Sequence, residues 1–116
     1  MLEVGKTVFL KPVNNEARRS KEIKEKFILK IGRKYFFVGK EGETVDKRTL
    51  KFSIDTLYQE NKGYAPNWQV YFDKQEIFDE REFYELISKI RKEFTEYGKL
   101  RFTLNQLRRI SVIMDE

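Results

Sequence analysis

The first 72 residues are dominated by short stretches in which apolar and polar residues alternate. Alternation with a period of two is the pattern of a strand that buries one face and exposes the other. The pattern predicts five strands, over residues 4–12, 23–31, 34–38, 48–54 and 68–72. The predicted inward residues of the last two strands are Leu50, Phe52 and Ile54, and Trp68, Val70 and Phe72. Because several short antiparallel strands in so few residues are typical of a small barrel, we expect an SH3-like β-barrel over residues 1–72.

The alternation is clearest in the second predicted strand. One face is predicted to point to the core and is formed by Ile23, Phe27, Leu29 and Ile31. The opposite face is predicted to be mostly basic and is formed by Lys24, Lys26, Ile28 and Lys30. The polar residues 13–21 before this strand predict a long loop, and Gly32-Arg33 after it predicts a hairpin turn.

From Asp73 onwards the apolar residues recur every three or four positions, which is the period of an α-helix. Asp73 with Glu76, and Thr103 with Gln106, have the spacing of capping boxes at the starts of two helices. The first helix carries an apolar stripe formed by Phe83, Leu86, Ile87, Ile90, Phe94 and Tyr97, and Gly98 is a suitable residue to end it. Because such a stripe normally covers a core, we expect residues 73–116 to form a helical hairpin packed on the barrel, within one compact α+β domain.

The chain has 116 residues and contains neither histidine nor cysteine. This composition excludes disulfides and the catalytic arrangements that depend on His or Cys. The sequence also has no glycine-rich phosphate-binding motif, and we predict no cofactor and no metal. It has no signal-peptide pattern and no apolar run of the roughly 20 residues that span a bilayer, so we expect a protein of the bacterial cytoplasm with no membrane contact.

The formal charge of +5 is unevenly distributed along the chain. Residues 1–75 contain 16 basic and 10 acidic residues, whereas the remainder is close to neutral. Residues 11–34 alone contain 9 basic and 3 acidic residues. Such a concentration of positive charge favours an anionic partner, although a well-solvated lysine-rich surface is an equal alternative.

The basic residues of this region are therefore the candidate binding residues for nucleic acid or for another partner. They are Arg18, Arg19, Lys21, Lys24, Lys26, Lys30, Arg33 and Lys34. Small β-barrels bind nucleic acid when cations contact phosphates and aromatic rings stack on bases. Among the possible exposed rings are Tyr35, Phe37 and Tyr58. The alternative is that these rings belong to the core and that the strand lysines only prevent aggregation of an edge strand.

A minor alternative is a metal-dependent nuclease built from carboxylates and a lysine. Asp46, Glu60 and Lys62 have the loose spacing of such sites, in which two carboxylates hold Mg²⁺ and the lysine polarises the attacking water. The motif has low specificity in a chain with 19 acidic and 24 basic residues. We therefore expect no enzymatic activity and no catalytic residue.

Two segments, Val4–Leu10 and Ile31–Val38, resemble small, mostly uncharacterised β-barrel proteins of phages and mobile elements of Gram-positive bacteria. The stretches Asn14–Arg18 and Lys51–Thr56 look similar as well. The resemblance covers roughly the first half of the chain and describes strands rather than a site. It implies a small phage-encoded accessory protein, of a kind that often binds host nucleic-acid machinery and sometimes inhibits defence nucleases, including CRISPR effectors.

The residues and the resemblance together lead us to expect a non-catalytic binding protein that acts by occupying a surface. One hypothesis is a host protein or nucleoprotein complex as partner, such as a defence nuclease that is inhibited in an anti-CRISPR-like manner. The other is direct contact with DNA or RNA. The sequence alone leaves both hypotheses and the oligomeric state open.

Overall fold

The computed structural model describes residues 2–95 and 102–116. It contains five strands and three helices in those residues. They are β1 (Thr7–Pro12), α1 (Asn14–Arg19), β2 (Lys24–Ile31), β3 (Tyr35–Gly39), β4 (Leu50–Ser53), β5 (Trp68–Tyr71), α2 (Lys74–Thr95) and α3 (Leu104–Met114). The prediction of five antiparallel strands followed by C-terminal helices in an α+β fold is confirmed.

The strands form one antiparallel sheet in the order β4-β3-β2-β1-β5. The two outer strands of this order, β4 and β5, are connected by the irregular segment between them. The Gln59 amide donates to the Trp68 carbonyl at 3.0 Å, and the Glu60 amide donates to the Lys51 carbonyl at 2.8 Å. Because this segment bonds to both edges, the sheet curls into a nearly closed barrel.

The core of the barrel lies on one face of the sheet, which we call the inner face. It is formed by the fully buried side chains of Val8, Leu10, Ile28, Phe36, Val38, Phe52 and Val70. The rings of Phe36 and Phe52 stack with their centroids 5.8 Å apart. The predicted inward residues of the fourth and fifth strands are confirmed, since Phe52 and Val70 are buried and their neighbours Leu50, Ile54, Trp68 and Phe72 pack against the cluster.

The facing predicted for β2 is wrong in the part of the strand before Leu29. Ile28, which was placed on the basic face, is only 1% exposed and belongs to the core, whereas Ile31 lies opposite Phe36 and therefore on the inner face, as predicted. The cause is a β-bulge: Ile28 pairs with Val38, but the next paired residue of β2 is Lys30, so Leu29 is the extra residue. Gly39 leaves room for it, because a Cβ atom there would lie 2.9 Å from Leu29 Cδ1.

The bulge also divides the lysines that were predicted to share one face. Lys24 and Lys26 lie opposite Leu10 and Val8 of β1 and therefore on the inner face, at its margin. Lys30 lies opposite Phe37, which points away from the core between the buried residues of β3. Lys30 therefore lies on the outer face of the sheet, opposite to the face that carries Lys24 and Lys26.

The segment predicted as a long loop, residues 13–21, contains the short helix α1. Sequence periodicity missed it because six residues are fewer than two helical turns. At the start of α2, Gln75 N donates to Asp73 Oδ1 at 2.9 Å. Thr103 and Gln106 form the predicted capping box of α3. The predicted stripe residue Tyr97 and helix end Gly98 lie outside the described residues.

The chain divides into two compact units, Met1–Asp79 and Glu80–Glu116. The first contains all five strands, α1 and the start of α2, and the second contains the rest of α2 together with α3. The packing of the helical segment on the barrel stays a prediction. None of the helices within the described residues combines the length and the apolar character that a bilayer span requires.

Candidate nucleic-acid interface

A row of alternating cationic and aromatic side chains crosses three strands on the outer face of the barrel. Lys30 of β2 lies opposite Phe37 of β3, and Phe37 lies opposite Lys51 of β4. Directly opposite residues on neighbouring strands point to the same side and their side chains interact. The row therefore presents one aromatic ring between two ammonium groups.

A second ring extends this row along β3. Tyr35 lies two residues before Phe37 and therefore on the same face of the strand. Lys51 Nζ sits 4.5 Å from the centroid of the Tyr35 ring, within the range of a cation–π contact. We call the four side chains of Lys30, Tyr35, Phe37 and Lys51 the aromatic platform. Both rings are half-buried, so each keeps part of its surface accessible.

The outer face at β1 and β5 differs from the aromatic platform, because its polar side chains hydrogen-bond to each other. Tyr71 of β5 is 9% exposed, and Lys11 Nζ donates to its hydroxyl at 3.1 Å. That hydroxyl also lies 3.2 Å from Gln69 Oε1 and donates to it. On the outer face, β3 therefore exposes more aromatic surface than β5.

A cavity of about 410 Å³ adjoins the platform, and we call it the basic cavity. Its lining includes both Phe37 and Lys51 of the platform. The other lining residues are Asp46, Lys47, Arg48, Thr49, Leu50, Gln59, Glu60, Asn61 and Lys62. Four cations and two carboxylates line it, which gives a net formal charge of +2. Such a cavity attracts an anionic group.

The two walls of the basic cavity are held by local hydrogen bonds. On the first wall, Asp46 Oδ1 accepts from the Arg48 amide at 2.7 Å, and Thr49 Oγ1 accepts from the Asp46 amide at 2.8 Å. On the second wall, the Glu60 amide bonds to the Lys51 carbonyl and Asn61 Nδ2 donates to the Ala65 carbonyl at 3.0 Å. These bonds order the loops and present the side chains of Lys47 and Lys62 on an ordered backbone.

The chain that carries this outer face matches a phage-associated protein family. The family model called Phage ProQ C-terminal-like domain matches residues 1–116. The chain belongs to this family. The phage association implied by the resemblance is therefore confirmed. No curated protein and no solved structure matches the chain.

In this member of the phage ProQ C-terminal-like family, three of the eight predicted binding residues lie at or beside the aromatic platform. Lys30 is part of it. Arg33 and Lys34 are exposed in the hairpin that connects β2 to β3, immediately before Tyr35. These three residues form the cationic margin of the platform at its hairpin end.

The other five predicted residues lie elsewhere. Arg18 and Arg19 are exposed on α1, where Arg18 donates to Asn15 Oδ1 at 3.3 Å. Lys24 pairs with Glu22 at 3.2 Å. Lys21 precedes β2 and Lys26 faces inward near the start of that strand, which runs for roughly 20 Å towards the hairpin. The eight residues therefore do not form one continuous row.

Asp46, Glu60 and Lys62, the residues of the nuclease alternative, all line the basic cavity. Sequence spacing alone did not show that they would come together. The Asp46 carboxylate accepts bonds from the loop backbone, as expected of a residue that orders a turn. Within residues 2–95 and 102–116, no three acidic side chains form a group that could hold a metal ion.

Sequence reasoning missed Lys47, Arg48 and Lys51 as binding residues. Lys47 lies in the segment between the third and fourth predicted strands, and Arg48 and Lys51 lie in the fourth predicted strand, which was judged by its inward residues. One signal was present: Lys51 occupies an outward position between Leu50 and Phe52, and Tyr35 and Phe37 alternate in the same way. This alternation becomes informative only when the pairing register shows that the outward residues of neighbouring strands lie opposite one another.

Proposed function

We propose that this chain is a non-catalytic nucleic-acid-binding domain that uses the aromatic platform and the basic cavity. The observation that carries the proposal is the row Lys30–Phe37–Lys51, which leads into a cavity of net positive charge. Cations beside accessible rings are the combination by which small β-barrels hold nucleic acid. Membership of a ProQ-like phage family fits a nucleic-acid-binding or accessory role.

The binding test compares two pairs of charge removals that are equal in number but lie at different places. The variant Lys47→Gln/Lys62→Gln removes two cations from the basic cavity. The control Arg18→Gln/Arg19→Gln removes two exposed cations from α1. Affinity for a fluorescent mixed-sequence oligonucleotide is measured by anisotropy over a series of salt concentrations.

The cavity variant should bind more weakly and respond less to salt than the parent chain. Each phosphate contact contributes about 0.7 to 0.9 to the slope of log K against log salt, so two lost contacts lower the slope by roughly 1.4 to 1.8. The α1 control should keep the parent slope. The opposite result would place the binding surface on α1, and absence of binding by the parent chain would refute the proposal.

A second candidate, a protein partner, is favoured by an exposed apolar stripe within the second unit. Phe83, Leu86, Ile90 and Phe94 of α2 are 43–57% exposed. Contiguous exposed apolar surface on a helix is a frequent feature of protein-binding sites. Under this second proposal, the chain docks on a host protein, such as a defence nuclease, and blocks it.

A further inference from the structure

The two rings of the aromatic platform are spaced along one strand. Tyr35 and Phe37 are two residues apart on β3, and strands rise by about 3.3 Å per residue, which separates the two positions by about 6.6 Å. Both side chains are half-buried and lie on the outer face. Two rings arranged in this way offer stacking positions for two successive flat groups.

Stacking on these rings requires bases whose faces are available. In a duplex each base is covered on both faces by its neighbours, so a ring on the protein surface reaches only the groove edges and the backbone. In a single strand the bases are unstacked easily and stack on aromatic side chains regardless of sequence. The rings therefore discriminate between the two forms, whereas the lysines attract both.

The basic cavity provides the second half of the contact. Its volume of about 410 Å³ lies within the usual range for a small-ligand site, about 300 to 1,000 Å³. Besides its cations, it has two side-chain amides that each use one polar atom locally. Gln59 Oε1 accepts from the Asn67 amide, and Asn61 Nδ2 donates to the Ala65 carbonyl. The Gln59 amino group and the Asn61 carbonyl oxygen are the complementary donor and acceptor for a base edge.

We infer that the site takes single-stranded nucleic acid in preference to duplex, with unpaired bases stacked on Tyr35 and Phe37 and phosphates held by the cations of the basic cavity. This inference rests on the proposed nucleic-acid-binding function. It adds the form of nucleic acid and the residues that select it. Lys51 contributes to both halves, since it contacts the Tyr35 ring and lines the cavity.

The test measures the affinity of the full chain for one labelled oligonucleotide, alone and annealed to its complement. The variants Tyr35→Leu and Phe37→Leu remove the rings, and Phe37→Trp restores a ring at the same position. The matched control is Phe9→Leu, which removes a half-buried ring from the outer face of β1, where Phe9 lies opposite Tyr71. Thermal midpoints verify that each variant is folded.

We expect the single strand to bind at least about tenfold more tightly than the duplex. Loss of either ring should weaken single-strand binding by about fivefold or more while duplex binding stays unchanged. Phe37→Trp should retain the preference, and its added fluorescence should be quenched by the single strand only. Should Phe37→Leu fail to fold, Tyr35→Leu and Phe37→Trp carry the same comparison.

Equal affinity for the two forms, or a preference that survives unchanged in both Tyr35→Leu and Phe37→Leu, would overturn the inference and leave the nucleic-acid-binding function in place. If Phe9→Leu lost the preference for single strands and Phe37→Leu kept it, the stacking would lie at β1 and not at β3, and the inference would be overturned. Absence of binding to either form would overturn the proposed function itself, so the two failures are distinguishable.

Discussion

Ile28→Ala should strongly destabilise the barrel, because this side chain fills the core although its sequence neighbours suggest an exposed position. Ile28 is 1% exposed and lies opposite Val38, another core residue. Truncation of a buried isoleucine to alanine removes its transfer free energy and leaves a cavity, which together usually lower the free energy of unfolding by 2 to 5 kcal/mol. We expect about 3 kcal/mol for Ile28→Ala and about 1 kcal/mol for Ile28→Val.

Leu29→Ala is the matched comparison. Leu29 is the bulged residue and is only half-buried, so its truncation removes less apolar contact and leaves less of a void. We expect a loss of about 1 kcal/mol, well below that of Ile28→Ala. Urea denaturation followed by fluorescence measures both values, since Trp68 is the sole tryptophan and packs against the core.

The size of the unit sets whether the experiment is feasible. At 0.05 to 0.15 kcal/mol per residue, a unit of 79 residues has a free energy of unfolding of about 4 to 12 kcal/mol. The loss expected for Ile28→Ala therefore approaches the lower end of this range of unfolding free energy. If the alanine variant unfolds, Ile28→Val still gives a measurable comparison. A loss below about 1 kcal/mol for Ile28→Ala, with a larger loss for Leu29→Ala, would show that β2 faces the other way. It would also place Lys26 on the outer face together with Lys30, as an uninterrupted alternation along β2 predicts.

Two other results would decide between the remaining functions. Incubation with Mg²⁺ should leave a labelled single strand and duplex intact, because the Asp46 carboxylate is bonded to its own loop; cleavage that disappears in Glu60→Gln would instead establish the nuclease alternative. For the protein-partner candidate, a host protein retained from a nuclease-treated bacterial lysate should be lost on Leu86→Gln/Ile90→Gln, because both changes make the exposed stripe of α2 polar. Retention of the protein by that variant would count against the stripe as the docking surface.

The barrel could be predicted from the sequence because its main signals are local. Alternation in β4 and β5 identified the inward residues, and turn-forming residues separated the strands. The start of α2 and the capping box of α3 were likewise predicted from residues only three positions apart. Each of these features depends on neighbours along the chain, which a single sequence displays directly.

The facing of β2 could not be predicted in the same way. A bulge shifts the period of two by one residue, and the composition of the strand gives no sign of where the extra residue lies. The position of Leu29 depends on Gly39, which lies ten residues further along the chain and leaves the space that the leucine occupies. The error therefore follows from a contact between two strands rather than from a misread propensity.

The candidate site illustrates the same limit more strongly, because each of the three strands that form the aromatic platform contributes only one or two of its residues. Lys30, Phe37 and Lys51 are far apart in sequence, and each looks like an ordinary outward residue of its own strand. The concentration of charge in residues 11–34 was a real signal, but at the strand level it pointed to Lys24 and Lys26, which the bulge separates from Lys30. One backbone irregularity thus places Ile28 in the core and Lys30 beside an aromatic ring. Stability and binding are linked through it, and a change that straightens β2 should impair both together.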